Sequence, residues 1–253
     1  MLSSLRKSEE LPNSVVASLT EPSLLVIARE ERRRRMQEEK DRRLQLQKCL
    51  RDPLYWMTEC TQTFDEKWQE KGCEPYRPFP KLPYLAWLIG KLQTDRRLFI
   101  PKSREMMVSW IVMAYAVHKA QFNEKTRVIL QTQKEDKSAD LINGRGTPGY
   151  AATLYARQPE WLKDRHPLTK PLKEQPDLLL SWANGSVVQG LPKGADQIRQ
   201  YHPTIMIFDE AAHLDEFEAA YGAADPVCQQ IIAVSSVAPG WFWDEVHPDG
   251  KAG

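Results

Sequence analysis

The chain has 253 residues, 42% of them hydrophobic, with 35 basic and 34 acidic side chains. That content suffices for one large domain or a domain with an appendage, and the near-zero charge balance excludes a protein that holds nucleic acid by bulk surface charge, so such affinity must come from local patches. Cys49, Cys60, Cys73 and Cys228 form no C-x-x-C pair and the histidines do not fall at metal-ligand spacing beside them, which points to reduced cytosolic thiols; no apolar run approaches the roughly 20 residues of a membrane span and no signal-peptide core opens the chain, so no membrane partner is expected.

Residues 1 to 20 are polar and read as a loose terminus. From Pro22 to Arg51 the pattern is one charged helix, with Pro22 suited to a first turn and Asp52-Pro53 supplying a stop. Nine Lys/Arg against five Asp/Glu between Glu30 and Arg51 make it locally basic. A solvated or coiled-coil arm is the favoured reading, with a DNA-binding arm the alternative. Residues 1–53 are therefore assigned to a helical arm, and 54–82, aromatic-rich and broken by prolines, to an ordered but irregular lead-in.

The main domain is placed at 83–253. "LPYLAWLIGKLQT" fits a short amphipathic helix, after which apolar strand candidates alternate with helical ones: a strand at Arg97 to Pro101, a helix from Val108 to Phe122, a strand at Thr126 to Thr132, a helix near Lys134 to Asn143, and strands at Thr204 to Asp209 and Gln229 to Ser235. This alternation predicts an α/β fold, a parallel sheet with helices on its faces. Between them, "LLLSWANGSVVQGL" has two β-prone runs joined at Asn184-Gly185, a hairpin signal, read as a decoration on the parallel sheet.

Chemistry concentrates at two places. In "TIMIFDEAAH", four apolar residues lead to Asp209 and Glu210, the Walker B pattern, in which Asp209 holds magnesium and Glu210 activates the attacking water. The alternative is a strand end with Asp209 as a helix cap. About a hundred residues upstream, "FIPKSREMMVSW" has the strand-loop-helix order of a phosphate-binding loop, yet the G-x-x-x-x-G-K-[ST] fingerprint laid on Lys102 to Ser109 keeps only Ser109. Downstream, "IIAVSSVAPGW" is a further apolar strand ending in Ser235 and Ser236, polar groups suited to sensing phosphate from a neighbouring strand.

Together, "LFIPKSREMMVSW", "TRVILQTQKEDKSADLI", "WANGSVVQGLPKGADQIRQYHPTIMIFDEAAHLDEFEAA" and "IIAVSSVAPGW" resemble the ATPase domain of the large terminase subunit of tailed bacteriophages, over roughly Pro83 to the C-terminus. The resemblance implies a P-loop NTPase of the additional-strand, catalytic-glutamate class, with the strand leading to Ser235 lying between the phosphate-loop strand and the acidic strand. It implies ATP and magnesium as cofactors. Lys102 would be the phosphate-loop lysine displaced to the start of the loop, Ser103 and Arg104 further phosphate contacts, and Ser109 the hydroxyl on magnesium. Ser235 and Ser236 would couple phosphate state to movement, and Arg199 would contact DNA, phosphate or a neighbouring subunit. Implied partners are double-stranded DNA, a homo-oligomeric ring on a portal and a small terminase subunit, in the cytoplasm of a bacterial host. Met107 departs from the pattern, which usually has a glycine there, and no adenine-contacting residue is assigned. The second acidic cluster of an RNase H-like nuclease is not evident, so nuclease activity is not expected of these residues.

Two other readings stay open: a terminase remnant with a dead loop, serving as a DNA-binding or assembly module, and a helicase-like ATPase on the same core.

Overall fold

The computed structural model describes residues 21–145, 148–191, 198 and 200–247. The chain divides into two units, one ending at Gln47 and one beginning at Lys48. The first is carried by helix α1 (Glu21–Arg51), which runs on into the second. Its described side chains are mostly exposed, and a helix polar all round depends on local pairs along its surface. It has them: Gln37 donates to Asp41 at 2.9 Å and Arg43 to Glu39 at 3.2 Å, one turn apart.

In the second unit Asp52 does more than stop a helix. Its carboxylate accepts the backbone N–H groups of Leu54 and Tyr55 (2.9 and 3.1 Å) and so caps α2 (Pro53–Cys60), with Pro53 in the first turn where its missing N–H costs nothing. Strand β1 (Gln62–Phe64), the short helix α3 (Trp68–Lys71) and strand β2 (Tyr76–Pro78) follow, with β1 and β2 paired antiparallel. The stretch 54–82, expected as irregular, is thus a capped helix and a small ribbon. Of its prolines, Pro78 ends β2 while Pro75 and Pro80 fall between elements, so none interrupts one.

Helix α4 (Pro83–Thr94) buries Leu85, Leu88, Ile89 and Leu92, the spacing of one helical face. Next come β3 (Arg97–Pro101), α5 (Val108–Phe122) and β4 (Arg127–Gln131), then α6 (Glu135–Leu141), α7 (Tyr150–Ala156) and α8 (Glu160–Arg165). The hairpin strands β5 (Leu179–Ser181) and β6 (Val187–Gly190) precede β7 (Ile205–Asp209), α9 (Phe217–Ala224), β8 (Gln230–Ser235) and α10 (Trp241–Val246). Six of these strands form one sheet in the order β3-β8-β7-β4-β6-β5, all neighbours parallel except β5 against β6. Strand β8 separates β3 from β7, as expected of the additional-strand order. The hairpin is no decoration: β6 pairs parallel with β4 from Arg127 opposite Val187 to Leu130 opposite Gly190 and widens the main sheet.

The two faces of the sheet are filled differently. Alternate residues Met206, Phe208, Ile231 and Ala233 join a cluster with Phe217 and Phe242, and Phe99, Tyr221 and Trp241 pack edge-on or tilted around it. The other residues of the same strands point to the opposite face by the pleat. There Gln230 accepts the Tyr115 hydroxyl of α5 at 3.0 Å and donates to the carbonyls of Leu92 and Asp95. Helix α5 is apolar on nearly every side because it is buried on nearly every side, from Val108 to Gln121. Among the described residues no helix is long and apolar enough to cross a membrane. All four cysteines are free thiols, with Cys49 and Cys60 in sulfur contact at 3.5 Å.

Asn184 locks the hairpin to the end of α5. Its side-chain N–H groups face the carbonyls of Ala120, Gln121 and Asn123 at 2.9 to 3.1 Å, while its Oδ1 accepts the Ser186 N–H at 2.9 Å. Asn184→Ala should cost about 2 kcal/mol, the usual net worth of such bonds. Asn184→Asp should cost more than Ala although it keeps the acceptor, because it sets an anion against three carbonyl oxygens. Urea denaturation of both variants checks this, and an Asp variant more stable than the Ala variant would contradict it.

Candidate functional site

The carboxyl ends of β3, β8 and β7 lie side by side, where parallel sheets bind ligands. Register brings them level: Pro101 pairs with Ser235, and Asp209 with Val234. The first residue beyond β3 is Lys102, whose backbone N–H donates to the Ser235 carbonyl at 2.9 Å, continuing the ladder one step and fixing the start of the loop.

The Lys102 side chain is only 11% exposed and its Nζ donates to Glu210 Oε1 at 2.9 Å. A serine at the start of α5 meets the other acid: Ser109 Oγ donates to Asp209 Oδ1 at 3.1 Å. Glu210 follows β7 in the left-handed region, at φ 55°, which turns the chain sharply into a 3₁₀ turn over Ala211–His213. That turn is held by Ser235, whose Oγ accepts the Ala212 N–H at 3.1 Å. Ser236 reaches Glu210 from the other side, its Oγ donating to Oε2 at 3.2 Å. Lys102, Ser109, Asp209, Glu210, Ser235 and Ser236 are therefore one constellation. Ser103 and Arg104 lie exposed on the loop outside these bonds, and Arg199 lies outside the described residues.

The loop itself is bent at two residues with positive φ, Glu105 (62°) and Met107 (56°). Met107 thus stands where the backbone has the conformation that favours glycine, and it immediately precedes α5. Two contacts that no sequence signal announces brace the bend. Tyr84 of α4 donates its hydroxyl to the Met106 carbonyl at 3.1 Å, and Lys67 pairs with Glu105 at 2.9 Å. Next to Ser109, Trp110 stacks flat on Tyr150 at 3.9 Å between centroids, tying the start of α5 to α7.

The two acids are held in opposite electrostatic states. Burial pushes Asp209 up to about 6, against the pull of Lys102 and with a push from Glu210. Burial also presses Glu210 upward, but the Lys102 ammonium bonded to it and the Ser236 donors outweigh this and hold it below the usual carboxylate range. A hard dication fits this arrangement better than a soft metal: the available atoms are one carboxylate and one hydroxyl, and among the described residues no cluster of three His, Cys, Asp or Glu exists to cage a metal. Magnesium characteristically takes one or two protein oxygens and keeps water or phosphate for the rest. Asp209 and Ser109 would hold it. Lys102 and the loop ahead of α5 would hold phosphate, the helix start contributing N–H groups without partners inside the helix.

No protein family and no curated protein matches the chain by sequence. By structure it is similar to the HK97 bacteriophage large terminase, with a TM-score of 0.53 at 12% identity, over 80% of this chain and 42% of that one. The chain thus spans less than half the length of that protein. The ATPase domain of the Thermus phage P74-26 large terminase is matched at a TM-score of 0.41 and 15% identity, over 72% of this chain and 73% of that one. The HK97 likeness shows a shared α/β fold.

A raised Asp209 makes a signed prediction. The folded state prefers the protonated acid, so the associated stability is complete below the unfolded value of 3.8 and is lost as pH rises to about 6. At neutral pH the charged form therefore costs the fold on the order of 3 kcal/mol. Asp209→Asn should raise the melting temperature of the ligand-free protein at neutral pH, with the gain vanishing in acid. A variant no more stable than its parent at neutral pH would contradict this account.

Proposed function

We propose that this chain is an ATPase motor domain of the terminase type, hydrolysing ATP to drive double-stranded DNA into a capsid. The observation that carries the reading is the cross-strand pairing of Lys102 with Glu210 and Ser109 with Asp209 at the level ends of β3, β8 and β7. A cation, a hydroxyl and two acids of separate environments are what magnesium-assisted phosphoryl transfer to water requires, and the fold shared with the HK97 large terminase supports the class.

Bound magnesium-ATP would supply the phosphoanhydride and bring the metal that neutralises its phosphates. The protein's part begins with Lys102, which exchanges the Glu210 carboxylate for phosphate. Losing the ammonium raises the basicity of Glu210, and its Oε1, vacated by Lys102, accepts the proton of the attacking water. Oε2 remains on Ser236, so one oxygen stays fixed while the other works. Because Lys102 is the group that keeps Glu210 weakly basic, the base is unmasked only when something else claims the lysine, which ties water activation to nucleotide binding. Ser235, bonded to both the loop start and the turn after Glu210, suits a coupling role toward DNA. The ring, the portal, the small terminase subunit and a contact from Arg199 belong to this proposal through the terminase likeness.

One observation favours a second reading. Met107 occupies a left-handed position inside the loop with a full side chain, which is the feature expected if the loop has ceased to cradle phosphate and the chain serves as a DNA-binding or assembly module. Nucleotide binding decides between the two.

Glu210→Gln should lower steady-state ATP hydrolysis by about 100-fold to 10,000-fold while leaving magnesium-ATP binding nearly intact. Lys102→Ala should weaken binding or turnover far more than Arg104→Ala, because Lys102 is enclosed in the constellation and Arg104 is exposed. Phosphate-release kinetics and equilibrium nucleotide titration measure both. An unmutated protein that binds no ATP at millimolar concentration would favour the second reading.

A further inference from the structure

The site contains one titratable side chain that neither the motif nor the proposed chemistry uses. His213 closes the 3₁₀ turn after Glu210, its backbone N–H donating to the Glu210 carbonyl at 2.9 Å. Its ring Nε2 lies 3.0 Å from Ser236 Oγ, which in turn lies 3.2 Å from Glu210 Oε2. The turn is anchored at its middle, where Ser235 Oγ accepts the Ala212 N–H. A histidine, a serine and the candidate general base therefore form a continuous chain from the exposed turn to the reacting carboxylate.

The direction of the protons follows from the groups at its ends. An ionised carboxylate only accepts, so the Ser236 hydroxyl proton points to Glu210. The serine oxygen is then left to accept, which requires the Nε2–H form of His213. A serine hydroxyl is a free rotor with a single proton, and a donor parked on its lone pair is what directs that proton toward the acid.

We propose that His213 is a positioning residue for ATP hydrolysis, acting through Ser236 to fix the orientation of Glu210; the inference rests on the ATPase reading above. Its importance arises when Lys102 leaves. In the ligand-free arrangement Glu210 is held at both oxygens, Oε1 by Lys102 and Oε2 by Ser236. Once phosphate takes the lysine, Oε1 has no protein partner, and the terminal torsion of a glutamate is broad and roughly two-fold. The only described side chain then holding the carboxylate plane is Ser236, with its backbone N–H a long 3.4 Å away. Without His213 the serine hydroxyl samples other directions, and Oε1 spends less time aimed at the water. The loss should fall on the chemical step and not on nucleotide affinity, since among the described residues the hydrogen bonds of His213 go to Glu210 and Ser236 and not to the loop or Asp209.

The test uses the full chain, with phosphate release for turnover and equilibrium titration of magnesium-ATP for binding. His213→Ala should reduce kcat about tenfold with KM and affinity changed less than about twofold. His213→Gln, whose side-chain N–H can donate to the same serine oxygen, should recover most of that loss. The double variant His213→Ala/Ser236→Ala should be no slower than Ser236→Ala alone, because the histidine acts only through the serine. Full kcat in His213→Ala, additive losses in the double variant, or a Gln variant no better than Ala overturns the relay, and if Glu210→Gln is inactive in the same assay the ATPase reading still stands. An unmutated chain without turnover, or an active Glu210→Gln, overturns both.

Discussion

Everything at the site depends on the register of three parallel strands. With Pro101 opposite Ser235 and Asp209 opposite Val234, β3, β8 and β7 end together, and residues that are more than a hundred positions apart in the chain come within bonding distance. One extra residue in β8 would lift Ser235 and Ser236 out of reach and turn alternate side chains to the wrong face. The register is in turn fixed from both sides of the sheet. The aromatic cluster around Phe99, Phe208 and Phe217 pins one face, and Gln230, bonded to α4 and α5, pins the other.

Within that frame, charge is arranged so that one acid is satisfied and its neighbour is not. A single buried ammonium cannot neutralise two carboxylates, and Lys102 bonds Glu210 alone. Asp209 receives a serine hydroxyl, a weaker partner, and burial dominates it. The unsatisfied acid is the one suited to a metal, because a dication relieves the penalty that the fold imposes. The satisfied acid is the one suited to be a base, because its partner can be removed. By the same logic Ser236 would matter more than its modest bond suggests, as the contact that would remain on Glu210 if the ion pair opened.

Most of the elements were legible in the sequence. Helix α5 runs from Val108 to Phe122 as its apolar run indicates, and β3, β4, β7 and β8 agree with their expected spans to within a residue at each end. These are long or strongly apolar segments, in which one local pattern decides the outcome. The candidate residues were also legible as types, Lys102, Asp209, Glu210, Ser235 and Ser236 at strand ends and Ser109 at a helix start. Their pairing was not, since Lys102 with Glu210 is a choice made by register. The stretch 54–82 misled because proline reads as a breaker, whereas Pro78 ends β2 and Pro75 and Pro80 lie between elements. The hairpin misled differently: Asn184-Gly185 announced the turn, but nothing local reveals that β6 also pairs with β4. Tyr84 on Met106, Lys67 on Glu105 and Trp110 on Tyr150 are side-chain contacts across tertiary distance, invisible to any periodicity.

Met107 shows how those contacts bear on the loop. A left-handed backbone costs a residue with a Cβ on the order of 1 kcal/mol, and Glu105 has the same burden two residues earlier. A glycine-rich loop takes such angles without strain but gains flexibility with them. Here the angles are held from outside, by the Tyr84 hydroxyl on the carbonyl between the two strained residues and by Lys67 on the Glu105 carboxylate. The Tyr84 bond is the firmer of the two braces, since the Lys67–Glu105 pair is exposed to solvent and screened by it. The bend that glycine would permit is therefore imposed by neighbours, and the loop keeps the course that carries the chain from Lys102 to Ser109 with neither glycine of the usual fingerprint.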